Sequence, residues 1–175
     1  SSGPGGAGGE GGGLPSDCIP TDGATVAPAC GVFVSATSSG DGSQASPFGS
    51  VLAAAAGLGE ARAIYVCGDD TFTGSVTLPG GVSLFGGLDC ATWTYADAAP
   101  RPRLLGAADS PALSVVGPGS SRLLSVDVEA PDAVAPGASS IAMLVSEATV
   151  DVDRSELRAR SGAPGAPGAA PPPQA

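Results

Sequence analysis

The sequence predicts an all-β fold, in which short parallel strands coil into a solenoid behind one helix near the N-terminal end. Eight short β-rich runs follow a single helical pattern, and many of them alternate apolar with small or polar residues, as half-buried strands do. Similar runs also recur at nearly one period, since Leu113 aligns with Ala142 and, at a slightly shorter offset, Val126 aligns with Val152. A coil of roughly 25 to 30 residues with two or three short strands is the unit of a parallel β-helix.

The first elements are a β-rich run and a helix. The run covers 31–36, and the helix is predicted to begin with Ser46 as its cap and Pro47 in its first turn. Gly57 ends it. Its apolar positions are expected to cover the open N-terminal end of the solenoid, and they are Phe48, Val51, Leu52 and Ala55.

The remaining runs are separated by Gly, Pro, Asp and Ser. A loop inserted into one coil is predicted between Leu88 and Pro102, because the strands on either side would otherwise meet too soon. The strand candidates are 63–67, 75–78, 82–85, 103–105, 112–116, 122–128, 140–145 and 148–152.

Composition divides the chain into one folded region and two tails. Residues 1–17 read as a flexible Gly-rich N-terminal tail, and 162–175 as a Pro/Gly/Ala-rich C-terminal tail. The region 18–161 between them is long enough for one domain of about five short coils, counting the helical cap.

The charge of the chain excludes several kinds of partner and chemistry. It carries 7 Arg, no Lys and 17 acidic residues, for a net charge of −10, so binding to nucleic acids or anionic membranes is not expected. It has no His, which excludes His-based zinc sites and Ser-His-Asp or Cys-His catalysis.

The cysteines and the hydropathy pattern point to a compartment. No apolar stretch is long enough to cross a membrane, and the chain begins without Met, as a mature product does after its leader is removed. Four cysteines without a C-x-x-C pair predict two disulfides in an oxidising compartment. Three pairings are open, and sequence proximity favours Cys18 with Cys30 and Cys67 with Cys90. We therefore expect a secreted or cell-surface protein, with lipid anchoring as one form of attachment.

One phrase of the sequence resembles a known superfamily. The segment 34–54, VSATSSGDGSQASPFGSVLAA, is similar to the opening of right-handed parallel β-helix domains of the pectin-lyase-like superfamily, and the resemblance extends over about 30–162. It implies a right-handed solenoid and a place among secreted or lipid-anchored bacterial proteins.

The resemblance carries over no catalytic residue. Enzymes of the superfamily need a positioned base or a set of facing acids, and this chain lacks the Gly-His and Arg-x-Lys phrases that the glycosidases carry. The adjacent Asp69 and Asp70 are interpreted as turn residues that bond the backbone.

Two strands carry acids at every second position. At the offset that aligns Val126 with Val152, Asp127 would lie beside Asp153 on the next coil, where unpaired like charges are destabilising. Two readings are open: a solvated face balanced by Arg154 and Arg158, or a weak calcium site. The candidate calcium ligands are Asp127, Asp151 and Asp153.

The predicted loop carries the only Trp of the chain. An exposed ring there could stack on a sugar while neighbouring polar groups bond its hydroxyls. The candidate glycan-binding residues are Trp93, Tyr95, Asp97, Arg101 and Arg103. The alternative is that both rings fold back over an exposed edge of the solenoid.

These observations predict a non-catalytic extracellular module with a structural or adhesive role and no required cofactor. Weak binding of a neutral glycan or another cell-envelope component is its expected specific property. Two alternatives remain open, a polysaccharide lyase or glycoside hydrolase on the same fold and a calcium-stiffened surface scaffold.

Overall fold

The computed structural model describes residues 13–169, so the predicted tails lie partly outside the described residues. The described chain is an all-β protein with one α-helix, α1 (Val51–Ala56), and two short 3-10 helices, Ser16–Cys18 and Pro28–Cys30. Its strands are β1 (Val32–Val34), β2 (Ala63–Cys67), β3 (Thr71–Thr73), β4 (Val76–Pro79), β5 (Ser83–Leu88), β6 (Arg103–Leu105), β7 (Leu113–Val116), β8 (Ser120–Leu124), β9 (Asp127–Ala130), β10 (Met143–Ser146), β11 (Thr149–Asp153) and β12 (Leu157–Ala159).

The strands form three parallel sheets. Their strand orders are β1-β2-β5-β8-β11, β12-β9-β6-β3 and β10-β7-β4. From β2 onward, the chain visits the five-, four- and three-stranded sheets in turn and then repeats. Each strand from β5 onward therefore pairs with the strand three places earlier, and side chains stack in columns along each sheet.

The shorter of the two predicted offsets is wrong. In the last repeat Val152 lies beside Leu123 rather than beside Val126, so the offset in the five-stranded sheet equals the one predicted between Leu113 and Ala142. In the three-stranded sheet, however, Leu113 lies beside Met143, one residue after the predicted Ala142. The predicted run 122–128 is broken into β8 and β9 because Ser125 turns the backbone with a φ of 53°. The equivalent residue of the next repeat, Arg154, has a φ of 48° and makes the same corner.

The predicted helix begins later than its sequence pattern indicated. Phe48 is extended rather than helical, since its amide donates to the Phe33 carbonyl at 2.9 Å and it forms a parallel bridge with Val34. Pairing with the open edge of β1 thus prevails over the local helical pattern. Ser50 is the cap instead of Ser46, and its hydroxyl accepts a hydrogen bond from an amide in the first turn.

The face that α1 buries also differs from the prediction. Val51 and Ala54 are buried against the interior, and the helix lies near β1, β2 and β4, but Leu52 is 50% exposed. The helix therefore closes the N-terminal end, whereas the assignment of Leu52 to that cover is wrong. Gly57 ends the helix as predicted.

Apolar residues form two clusters, one on each side of the five-stranded sheet. The inner cluster draws side chains from all three sheets and α1. The outer cluster packs the sheet against the N-terminal segment 14–30 and the loop 89–102, and all four cysteines belong to it or border it. Both predicted disulfides are confirmed, Cys18–Cys30 and Cys67–Cys90.

An aromatic stack organises the outer cluster. The Tyr65 ring lies between Phe33 and Phe85, with ring centroids 5.2 and 5.3 Å away, and Trp93 packs edge-on against Phe33. The Tyr65 hydroxyl donates to the Cys18 carbonyl at 2.6 Å. Burial, with a smaller contribution from a nearby acid, raises the pKa of Tyr65 above its usual range, so the hydroxyl stays a donor.

Over residues 13–169, no helix has the length and apolar character needed to cross a membrane.

Candidate functional site

The outer surface of the four-stranded sheet carries the densest group of paired charges in the described chain. Alternate side chains of β6 and β9 point into the interior, so the side chains of Arg103, Asp127 and Glu129 lie on the outer side of the sheet. We call this surface the arginine–carboxylate face, and it consists of Arg101, Arg103, Asp127, Glu129, Glu156, Arg158 and Arg160. Its four arginines exceed its three carboxylates, so the face is locally positive within a chain of net charge −10.

Glu129 is the anchor of this face. It is the only charged side chain buried among residues 13–169, and a buried carboxylate needs partners to offset its lost hydration. Arg160 supplies them, with its Nε donating to Oε1 of Glu129 at 2.6 Å. Arg103 lies on the other side, with its nearest guanidinium nitrogen 3.8 Å from Oε2.

A second set of contacts links β9 to the turn before β12. Asp127 pairs with Arg101 at 3.1 Å and accepts a hydrogen bond from the Glu156 amide at 3.0 Å. The Glu156 carboxylate accepts from Nε of Arg158 at 3.1 Å. That bond holds the pKa of Glu156 below its usual value, so this carboxyl is ionised at neutral pH and cannot serve there as a general acid.

A small pocket opens between these side chains. Its volume of about 40 Å³ holds a few water molecules and is too small for a sugar ring, so a larger ligand would lie across the face. The side chains that line it are Arg103, Asp127, Val128, Glu129, Glu156 and Arg158. Guanidinium donors beside carboxylate acceptors provide complementary hydrogen-bonding groups for a hydroxyl-rich ligand.

The predicted glycan-binding residues do not form one surface. Trp93 and Tyr95 are buried in the outer cluster, where Trp93 packs on the aromatic stack and the Tyr95 hydroxyl bonds Ser125 at 2.9 Å. Neither ring offers a face to a sugar, which agrees with the alternative that they cover the sheet. Asp97 forms an ion pair with Arg154. Arg101 and Arg103 alone lie on the arginine–carboxylate face.

The predicted calcium ligands are also separated. Asp127 lies on β9 of the four-stranded sheet, whereas Asp151 and Asp153 lie on β11 of the five-stranded sheet. The register places Asp153 beside Leu124, so the expected contact between Asp127 and Asp153 is wrong. Asp151 pairs with Arg122 at 3.0 Å. Across residues 13–169, no cluster of three or more acidic, Cys or His side chains is arranged to hold a metal ion.

Asp69 and Asp70 lie in the exposed corner between β2 and β3. The Asp70 carbonyl accepts a hydrogen bond from the Arg103 amide at 3.0 Å. This corner therefore holds the first residue of β6, whose side chain belongs to the arginine–carboxylate face.

Sequence reasoning did not group Glu156, Arg158 and Arg160 with the acids of β9. The longer offset, the one between Leu113 and Ala142, aligns Asp127 with Glu156 and Glu129 with Arg158. Applied to the whole chain, that offset would have brought these side chains together.

Fold and surface together define an all-β protein built from parallel sheets, with a network of arginines and carboxylates on one outer face. No protein family matches the chain, and comparison with curated proteins and with solved structures gives no match.

Proposed function

We propose that this chain is a right-handed parallel β-helix that serves as a structural or adhesive module outside the cytoplasm and binds a neutral glycan weakly on its arginine–carboxylate face. The observation that carries the proposal is the repeated passage of the chain through the same three parallel sheets. A chain that adds one strand to each of three sheets per repeat builds a solenoid. Connections between parallel strands of one sheet are right-handed in nearly all proteins, which supports that hand.

The covalent structure supports a location outside the cytoplasm. Cys67–Cys90 joins β2 to the loop 89–102, with Cys67 fully buried, and Cys18–Cys30 closes a loop within the N-terminal segment 14–30 of the outer cluster. Structural disulfides of this kind persist in oxidising compartments. Secretion or display at the cell surface follows as part of the proposal.

The charge pattern supports a neutral glycan over an acidic one. The face has one excess positive charge, but the chain as a whole carries −10 and repels polyanions such as uronate polymers. Exposed guanidinium groups of Arg103 and Arg158 provide donors to sugar hydroxyls, and the exposed part of Glu156 provides an acceptor. The affinity is expected to be low, since the face is open and offers no aromatic ring.

The experiment measures binding of neutral β-linked glucose and N-acetylglucosamine oligomers by calorimetry. Arg103→Ala and Arg158→Ala are expected to weaken binding about tenfold each. Arg122→Ala is the matched control, because it also removes a partly exposed arginine from an ion pair, but on the five-stranded sheet. Equal losses in all three variants, or no binding by the parent protein, would refute the proposed glycan surface.

The same samples test the enzyme alternative. Uronate polymers and neutral oligomers are incubated with the protein, and reducing and unsaturated chain ends are counted. The module is expected to release none above buffer. Release that disappears in Asp127→Asn or Glu156→Gln would overturn the non-catalytic assignment and place a cleavage site on the same face.

A further inference from the structure

The final repeat leaves the interior of the molecule uncovered on all three sheets. Val145, Val152 and Leu157 are 38%, 39% and 39% exposed. Their register partners one repeat earlier are only 2%, 1% and 1% exposed, and they are Val115, Leu123 and Val128. Three columns of apolar side chains therefore run through the buried interior and end exposed in the last repeat. We call the open surface formed there by β10, β11 and β12 the terminal surface.

The terminal surface also presents free strand edges. β10, β11 and β12 are each the last strand of their sheet, so each pairs on one side only within the described chain. β11 is the longest of them, with five residues from Thr149 to Asp153. Unpaired amides and carbonyls beside exposed apolar side chains are the features that accept an added strand.

We propose that the terminal surface binds an extended segment of another polypeptide, in which apolar residues alternate with Arg or Lys, and that this segment pairs with β11 as a parallel strand. The apolar residues extend the column that ends at Val152. The basic residues lie outside, next to Asp151 and Asp153.

Charge complementarity identifies the partner. Two outward acids of this protein face arginines on the neighbouring strand, since Asp127 lies beside Arg103 and Asp151 lies beside Arg122. No strand among residues 13–169 lies on the open side of β11, so no arginine faces its acids from that side. Asp153 and Glu147 form no ion pair within residues 13–169, and the acids Glu147, Asp151 and Asp153 outnumber the one neighbouring cation, Arg154, so the edge is net negative.

Two other occupants are less compatible with the surface. A second copy packed end to end would bring two acidic β11 edges together, and like charges on adjacent strands are destabilising. Residues 161–164 of the chain itself pair elsewhere, since the Ser161 and Pro164 carbonyls accept hydrogen bonds from amides of the loop 131–142.

The test uses synthetic peptides and the full chain labelled for amide NMR. A short peptide of alternating valine and arginine is expected to bind, to shift the amide signals of β11 most strongly, and to bind less tightly as salt is added. Two control peptides are expected not to bind. One replaces arginine by glutamate, and the other is methylated at alternate amides so that it cannot pair with a strand.

Variants of the edge complete the test. Asp151→Asn with Asp153→Asn is expected to weaken peptide binding about fivefold. Glu60→Gln, which removes an exposed acid just before β2, three strands away from β11 in the sheet, is expected to leave it unchanged. Val152→Arg, at the end of the apolar column, is expected to abolish binding. Equal binding of the glutamate peptide, shifts confined to other strands, or a stable dimer of the protein alone in sedimentation would each overturn the proposal.

Discussion

Two strands of the same sheet, β2 and β11, have opposite environments. All five residues of β2 are buried, whereas in β11 four residues are exposed and only Val150 is partly buried. Their sequences, AIYVC and TVDVD, differ most on the outer side, where the column that contains Tyr65 in β2 ends at Asp153 in β11. The two strands therefore differ because other segments of the chain cover β2, whereas none among residues 13–169 covers β11.

Around β1 and β2, four separate segments provide the cover. The segment 42–48 pairs with the open edge of β1, α1 closes the interior, and 14–30 together with the loop 89–102 covers the outer face. Antiparallel contacts join the last two, with the Val26 amide donating to the Trp93 carbonyl at 3.0 Å. The terminal surface has no equivalent of any of these among residues 13–169. Stability is therefore expected to decrease along the molecule toward β11.

The largest expected effect comes from charging the interior under α1. Val51→Asp places a carboxylate in the buried contact with the inner cluster, where nothing compensates its lost hydration. We expect a loss of about 4 kcal/mol or more in the free energy of unfolding, measured by urea denaturation.

Leu52→Asp is the control for that measurement. The same charge is added one residue later on the exposed side of the helix, so the change in stability should stay within about 0.5 kcal/mol. Similar midpoints for the two variants would show that α1 does not close the interior in the orientation described.

The second prediction compares one buried apolar residue with one at the terminal surface. Leu123→Ala removes a fully buried side chain from the middle of a column and should cost about 3 kcal/mol of unfolding free energy. Leu157→Ala makes the same truncation where the side chain is 39% exposed, and should cost less than about 1 kcal/mol. Equal losses in urea denaturation would mean that the terminal surface is covered in solution.

Much of the fold could be predicted because the strand signal is local. The predicted runs 63–67 and 103–105 have the bounds of β2 and β6, and the inserted loop lies between Leu88 and Pro102 as expected. β3 and β12 were missed because TFT and LRA each carry only one large apolar residue, whereas RLL of the equally short β6 carries two. The helix start was misplaced because pairing of Phe48 with β1 is a nonlocal contact.

The arginine–carboxylate face was harder to predict, because its members come from different repeats. Their proximity depends on the register, and the shorter offset replaces Glu156 by Asp153 as the neighbour of Asp127. That offset came from a similarity of residue types between SVDVEA and DVDRSE. Ser125 turns the chain between β8 and β9, so the alternation of inward and outward side chains starts anew after it. The sequence contains no marker for this corner, since Ser rarely adopts a positive φ.

The smallest expected effect concerns how acid loosens the cover of β2. Asp89 begins the loop 89–102, and its carboxylate accepts hydrogen bonds from the Thr92 hydroxyl at 2.9 Å and from the amides of Thr92 and Ala91 at 2.8 and 3.0 Å. These bonds hold the pKa of Asp89 below its ordinary value of 3.8. The charged form is therefore favoured by folding, and its contribution is fully present above the unfolded-state pKa and lost as pH falls through the lower folded-state pKa.

Asp89→Asn tests this sign directly. The variant should be less stable than the parent at neutral pH, and the difference should shrink as pH falls below about 4, measured by thermal unfolding and by amide exchange within 91–96. Glu60→Gln removes an exposed acid outside this network and controls for the change in net charge. A difference between parent and Asp89→Asn that stays constant from neutral pH to pH about 2 would mean that ionisation of Asp89 does not hold the loop. The cover of β2 would then depend on the Cys67–Cys90 disulfide and on the burial of the Trp93 and Tyr95 rings.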